Sequence, residues 1–368
     1  MNDLPRPEFV ERDPEAITQE LVNQYEQMTG KTLQPGQWER VFLDVIAYRD
    51  ALIRQQVQLT GEQNLLAYAR FPMLDHLGAF YGVERLPARA AVTELQFTSA
   101  AERAEDVDVP KGTRVRSKDG KVDFATDQAL TVPAGGGSAS VSATAVTAGD
   151  LGNGYRSGEL DKLVDPVDGI ASATNTAVTF GGATEEGDER LRDRIQGAPE
   201  RLTVAGSFGA YRWHAISAHQ DVTDASVISP SPGVVQVCIL VKDGLPSQDM
   251  LALVESALSD ERVRPLTDQV QVIAPTRIGY TIDATLTLYS DTDVEAAKAR
   301  ALAAAEDWAA RARARLGRDV VPNQIVDALM SGGVYDVTLA SPARQALAPH
   351  EWADCDGVTV SVSGAPDG

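Results

Sequence analysis

The chain is poor in several things that would mark a familiar chemistry. Only two of its 368 residues are cysteine, Cys238 and Cys355. Cys238 lies inside the apolar run Val234 to Val241 and reads as a small buried hydrophobe, and Cys355 sits in a polar segment. A disulfide framework is therefore not expected, which fits folding in a reducing cytoplasm. Aromatics make up 6% of the residues, so Ala, Val and Leu must build cores of modest size. Basic residues are outnumbered, 33 Lys and Arg against 53 Asp and Glu, for a net charge of −20. A general phosphate-binding surface needs clustered cations, so no nucleic-acid partner is expected. No apolar run approaches the roughly 20 residues of a membrane span. Met1 to Pro5 lacks the basic region and apolar core of a signal peptide.

Catalytic constellations are missing too. The histidines are His76, His214, His219 and His350. His214 and His219 are five apart, whereas zinc-binding helices present ligands at i and i+4. His76 beside Asp75 reads as an ordinary helix residue. The acidic run Glu185, Glu186, Asp188, Glu189 reads as helix capping plus a solvated face, because paired catalytic carboxylates must oppose each other across a cleft. There is no Gly-x-Ser-x-Gly elbow and no Walker loop, and no helix opens directly after Gly149, Gly152 and Gly154. No catalytic, cofactor-binding or metal-binding residue is expected.

What is present is length and patterning. A chain of this length predicts several domains. Residues 1–89 read as a helical N-terminal arm. Pro14 to Met28 places Ile17, Leu21, Tyr25 and Met28 on one face before Gly30. A second helix from Trp38 to Leu59 carries Trp38, Val41, Val45, Tyr48, Leu52 and Leu59 at alternating three-and-four spacing, a seam of about three heptads. Two readings of that seam stay open: a core-facing helix within this chain, or a bundle with another chain. Leu65 to Tyr81 predicts a third helix.

Residues 90–180 alternate apolar and polar with frequent turn signals, which predicts a compact antiparallel β domain, a sandwich or open barrel. Residues 181–275 read as a helical linker, with Asp188 as N-cap, followed by a first α+β module. Residues 276–345 form a second module: strand Ile278 to Tyr289, helix Asp293 to Leu316, helix Asn323 to Met330 and strand Val334 to Leu339. Residues 346–368 read as a tail with one short strand, Val358 to Val362. The fold class is thus α+β multidomain. The long helix of the second module carries many alanines, small enough to admit another backbone, and Arg311, Arg313, Arg315 and Arg318 near its end. Arg311 and Arg315 are either a docking point for an acidic neighbour or simply a favourable helix end.

Four segments follow one another in a telling order: Val109-Pro110-Lys111-Gly112-Thr113; Gly181 to Arg192; Ala205-Gly206-Ser207-Phe208-Gly209-Ala210-Tyr211; and Arg264-Pro265-Leu266-Thr267-Asp268. At these spacings, over roughly residues 60 to 342, the chain resembles the baseplate J-like family, the wedge proteins of contractile bacteriophage tails. The resemblance implies a structural, non-enzymatic subunit in the virion tail, made and assembled in the host cytoplasm. It implies a second baseplate wedge protein as partner, bundled with the N-terminal helices, and other copies of the chain as neighbours in a ring around the hub. Hub, sheath-initiating and tail-fibre proteins are further implied partners, and the ring couples host binding to sheath contraction. The rival expectations are a tail-associated carbohydrate hydrolase and a host-adhesion module using the Ser/Thr-faced β domain.

Overall fold

A computed structural model of the chain describes residues 4–202, 207–242, 244–260, 263–265, 267–330 and 332–363. They divide into two compact units, one of residues up to Arg85 with Gly187–Ala198, the other of Leu86–Glu186 with the residues from Pro199 onward.

In the first unit, α1 (Pro14–Thr29) begins where Asp13 accepts a hydrogen bond from the Glu15 amide and ends at Gly30, whose φ of 67° suits glycine. Ile17 and Val22 are buried, while Met28, expected on the same face, is exposed. The second helix, α2 (Trp38–Gln63), runs one turn past the expected end. An extended strap before α1 lies along its last turns. Arg6 holds the Glu62 carboxylate with two bonds of 2.8 Å. Gln58 accepts from the Phe9 amide at 2.9 Å and donates to the Pro7 carbonyl and to Glu62 at 2.7 Å. Gly61 leaves room for the Phe9 ring, since a Cβ there would stand 2.6 Å from it.

The expected helix over 65–81 shrinks to α3 (Met73–Phe80). The α2 helix ends at its C-cap Asn64, residues 64–72 run as turns, and Pro72, which disfavours helix at Phe71, precedes α3 as its N-cap. The carbonyls of these turns need donors, and α4 (Asp188–Gly197) supplies them. The buried Arg192 guanidinium donates to the carbonyls of Leu66 and Ala69 at 2.7 Å each. Gly187, not Asp188, is the N-cap of α4. Asp188 in the first turn instead accepts from Arg85 at 2.7 Å and from the Phe71 amide at 3.3 Å, and Arg85 also holds Asp75 at 2.6 Å. So α4, expected in a linker, packs with the N-terminal helices.

The second unit opens with the β domain: β1 (Val92–Ser99), β2 (Val107–Val109), β3 (Arg114–Ser117), β4 (Asp123–Thr126), β5 (Leu130–Val132), β6 (Ser138–Ala145), β7 (Leu160–Leu163) and β8 (Ile170–Asn175). Six strands form an antiparallel sheet in the order β7-β3-β4-β6-β1-β8, and β2 pairs with β5. The sheet curls almost to a barrel. Buried Asn175 bridges its two end strands, accepting from the Leu160 amide at 3.0 Å and donating to the carbonyls of Arg156 and Ala177 at 2.9 and 2.8 Å. Leu95, Phe97, Val115, Phe124 and Leu160 fill the interior.

The first module contains α5 (Phe208–Ala218), β9 (Val222–Ser231), β10 (Val234–Val241), α6 (Gln248–Leu258) and β11 (Gln269–Ile273), with strand order β11-β10-β9. The β9–β10 hairpin is antiparallel, and α6 carries the chain over to a parallel β11. The second module contains β12 (Thr276–Leu288), α7 (Val294–Arg313), α8 (Pro322–Leu329), β13 (Val334–Ser341) and β14 (Glu351–Ser363), ordered β13-β12-β14. The segment expected as a tail from 346 instead gives β14, which pairs in parallel with the whole of β12 and buries Trp352, Ala353 and Val360. The strand expected over Val358 to Val362 is thus longer than expected, because the residues from Glu351 onward already pair along β12. The α7 helix stops at Arg313, short of the expected Leu316. Ala297, Ala301, Ala305, Ala309 and Ala312 are buried in the module's own core, so much of the alanine surface admits its own sheet rather than a neighbour.

The two modules are joined by polar contacts. Buried Asp224 of β9 accepts from the Leu316 amide at 2.9 Å and from Arg212 at 2.7 Å. The Cys238 thiol of β10 also reaches the His350 carbonyl at 3.8 Å, and within the second module the Trp352 indole donates to the Arg313 carbonyl at 2.8 Å and lies under the Arg313 guanidinium.

The Arg6–Glu62 latch has a pH signature. The Arg6 guanidinium, then the Gln58 amide, hold the Glu62 carboxyl down at about 2 from its usual 4.5. A depressed carboxylate pKa stabilises the strap above the unfolded value, and that stabilisation drains away as pH falls through the folded one. Amide exchange in residues 4–13 should therefore be slow at neutral pH and accelerate as pH is lowered from about 4.5 towards 2, after correction for intrinsic exchange. In Glu62→Gln the exchange should be fast throughout, without that step. An unchanged step in the variant would mean another group holds the strap.

Candidate assembly surfaces

At 100° per residue, one side of α2 points at α1 and carries buried Ala47 and Gln58 with half-buried Leu43 and Arg54. The other side is open. All six seam residues lie on it: Trp38 is 75% exposed, Tyr48 64%, and Val41, Val45, Leu52 and Leu59 are exposed with them. Phe42, Ile46, Ile53 and Val57 are exposed beside the seam and widen the apolar face to about half the helix circumference. Heptad spacing selected one row, and these four stand one residue after a seam position or in the adjoining row, a repeat of 41/42, 45/46 and 52/53 that the sequence did contain. Surface apolar residues scattered singly are ordinary; a face of this breadth, interrupted by exposed Arg49 and Gln56, makes α2 a candidate interaction surface.

The basic end of α7 is less uniform than its sequence. Arg311 is exposed and pairs with Asp307 at 3.1 Å, and Arg318 donates to the Arg311 carbonyl at 2.8 Å. Arg313 is committed to Asp354 at 3.3 Å and to Trp352. Arg315 is exposed and has no ion pair among the described residues. It lines a polar cleft with Phe208, Arg212, Asp224 and Ser226.

The four segments that carry the family resemblance make contacts that hold the fold. Tyr211 donates to the Asp268 carboxylate at 2.8 Å, and Arg264 donates to the Asp268 carbonyl at 3.2 Å, so two of those segments meet. Burial, then Asp268, pushes the Tyr211 phenol well above its usual range. Leu266, Ala205 and Gly206 lie outside the described residues. Thr113 and Thr126 both donate to the Pro110 carbonyl, at 2.8 and 3.0 Å, and Gly112 takes φ 87° in the turn from Pro110 to Thr113. Glu186, expected on a solvated face, is buried and accepts from the Leu86 amide at 3.0 Å.

The titratable groups are similarly engaged. His219 is fully buried; its Nδ1 accepts from the Asp221 amide at 3.1 Å, and its Nε2 faces the Gly181 carbonyl at 3.2 Å. Burial, then Arg201, lowers the His214 pKa. Asp75, beside His76, is held by Arg85. Burial pushes the Cys238 thiol up to about 12, with Asp224 adding to it. Among the described residues no group of three or more His, Cys, Asp or Glu side chains is placed to hold a metal ion, and no helix is long and apolar enough to cross a membrane.

Four domain descriptions of one family match consecutive stretches of the chain. They are the Baseplate J-like N-terminal domain at residues 40–91, the Baseplate J-like barrel domain at 94–182, the Baseplate J-like central domain at 203–274 and the Baseplate J-like C-terminal domain at 280–361. The chain belongs to the baseplate J-like family. Baseplate protein J of Escherichia phage P2 is 42% identical over 175 residues, which is 47% of this chain and 58% of that protein. Among solved structures, a chain of the cryo-EM structure of the anti-feeding prophage baseplate is 12% identical, with a TM-score of 0.43 over 93% of this chain and 90% of that one.

The open side of α2 makes a sharp expectation. Val45→Asp with Leu52→Asp should leave the isolated chain folded, because both side chains already face solvent and surface changes cost little, within about 0.5 kcal/mol. Burying the two charges in an interface would cost several kcal/mol each. Circular dichroism should be unchanged while incorporation into particles is lost. Normal incorporation would show that α2 is not an assembly face.

Proposed function

We propose that the chain is a structural subunit of the baseplate in a contractile tail, without chemistry of its own, and that α2 is the surface by which it joins a second baseplate wedge protein. The broad apolar side of α2, left open by α1, carries the proposal. A helix with one side packed and the opposite side apolar is built to sit between two neighbours, and a heteromeric helical bundle supplies the second. The family membership supports the location in the virion tail, and the phage P2 relative is itself named a baseplate protein. In this reading the ring around the hub contains several copies of the chain, holds the sheath until host binding, and also meets hub, sheath-initiating and tail-fibre proteins. The acidic surface, net charge −20, keeps the free subunit soluble before assembly and repels rather than grips passing DNA.

The test is complementation. Lysates lacking the gene should yield no complete baseplates in negative-stain images, and the supplied chain should restore them; baseplates complete without it would end the proposal. The basic end of α7 is the proposed contact with an acidic surface of a neighbouring copy. Arg311→Glu with Arg315→Glu should leave the chain folded and weaken ring closure, most of all at low salt, where screening is least. Rings that close normally at every ionic strength would place that contact elsewhere.

A further inference from the structure

The two C-terminal modules have four open sheet edges, and three of them are blunted. On β9 the edge carbonyl of Ala225 is occupied by Arg212 at 3.0 Å, and Pro230 sits in the strand. The β11 strand is five residues long. The β13 strand pairs with β12 through two register shifts, carries exposed Asp336 on its length and is followed by Pro342. Such devices are how native proteins stop an edge from recruiting another strand.

The fourth edge, β14, has such devices only in its first half, where Glu351, Asp354, Asp356 and a register shift at Tyr280/Thr281 interrupt it. From Gly357 to Ser363, β14 pairs with Thr281 to Thr287 in unbroken register. Its sequence there is Gly-Val-Thr-Val-Ser-Val-Ser, without charge or proline, in a chain of net charge −20. Val358, Val360 and Val362 point to the module core. Thr359, Ser361 and Ser363 are exposed on the other face, where Ser361 and Ser363 meet Thr285 and Thr287 hydroxyl to hydroxyl. Apart from a weak Cys355 thiol contact to the Gly357 carbonyl, no group outside β12 bonds the backbone of this stretch among the described residues. Val358 and Val362 are only partly buried, as residues on an uncovered edge strand are.

The stretch is also symmetric in polarity about Val360. If two copies meet antiparallel with Val360 opposite Val360, Val358 faces Val362 and Thr359 faces Ser361. Apolar positions then oppose apolar ones on the core side, and hydroxyls oppose hydroxyls on the other, with no charge brought near a charge. A two-fold contact requires this kind of self-complementarity. We propose that the β14 edge pairs with the same edge of a second copy of this chain, joining two three-stranded sheets into one of six strands. The pairing does not depend on the baseplate reading, because the mass of the purified chain reads it and particle assembly does not enter.

The test uses full-length chain carrying Val45→Asp and Leu52→Asp, so that α2 cannot contribute, followed by sedimentation over a concentration series. The unmodified edge should give twice the 39.3 kDa of one chain at high concentration. Adding Thr359→Lys with Ser361→Lys sets lysines opposite one another across the two-fold and should return the mass to a single chain. Thr359→Lys with Ser361→Glu sets each lysine against the partner copy's glutamate and should restore the doubled mass, which also shows that changes at these two sites do not unfold the module. A single-chain mass for the unmodified edge at every concentration would overturn the proposal. So would a doubled mass in the double-lysine variant, or a failure of the lysine–glutamate variant to recover it while it melts like the parent.

Discussion

Every stretch of chain that leaves regular structure and becomes buried has to find partners for its amide and carbonyl groups, and here buried ionic and polar side chains provide them. Arg192 serves two carbonyls of the turn segment between α2 and α3. Glu186 serves the Leu86 amide, Asn175 the closing strands of the barrel, and Asp224 the Leu316 amide at the joint of the two modules. A buried charge left without partners costs several kcal/mol, so each of these side chains is fixed by what it serves as firmly as the loop is fixed by it. Helices and sheets supply the cores, and these few polar groups determine how consecutive elements within each unit join.

This division accounts for the character of the chain as a scaffold. Arg85, Arg192, Glu186 and Asp224 are engaged at joints, buried His219 makes local hydrogen bonds, and Tyr211 and Arg264 of the segments that carry the family resemblance both bond Asp268. What remains open is surface: the outer side of α2, Arg315, which has no ion pair among the described residues, and the second half of the β14 edge. A structural subunit needs surfaces of this kind.

Much of the architecture was legible in the sequence, because it follows from local periodicity. The α2 seam, the alternating strand Ser138 to Val146 and the strand-helix-strand order of the first module all carry their own signal. The misses have physical causes. The apolar spacing predicts helix through Pro72, but Pro72 disfavours helix at Phe71 and instead stands as the N-cap of α3. The strand expected over Val358 to Val362 extends back to Glu351, a stretch whose Glu351, Asp354 and Asp356 weaken the apolar alternation. Asp188 and Glu186 were read as capping and solvated acids because their partners, Arg85 and the Leu86 amide, lie roughly a hundred residues away in sequence. Of the assembly surfaces, the six seam positions were visible from spacing. The widening to Phe42, Ile46, Ile53 and Val57 became clear only once α1 was seen to cover the opposite side.

The central claim is that the exposed apolar side of α2 is buried when the chain takes its place among its partners. Hydroxyl-radical footprinting of the free chain and of intact particles addresses this directly, because Trp38, Phe42 and Tyr48 are strongly reactive reporters placed on that side. The account predicts heavy oxidation of all three in the free chain and strong protection in the particle, with exposed Tyr289 and Tyr335 as internal references for the protection that assembly gives elsewhere. Equal oxidation of Trp38, Phe42 and Tyr48 in both states would contradict it.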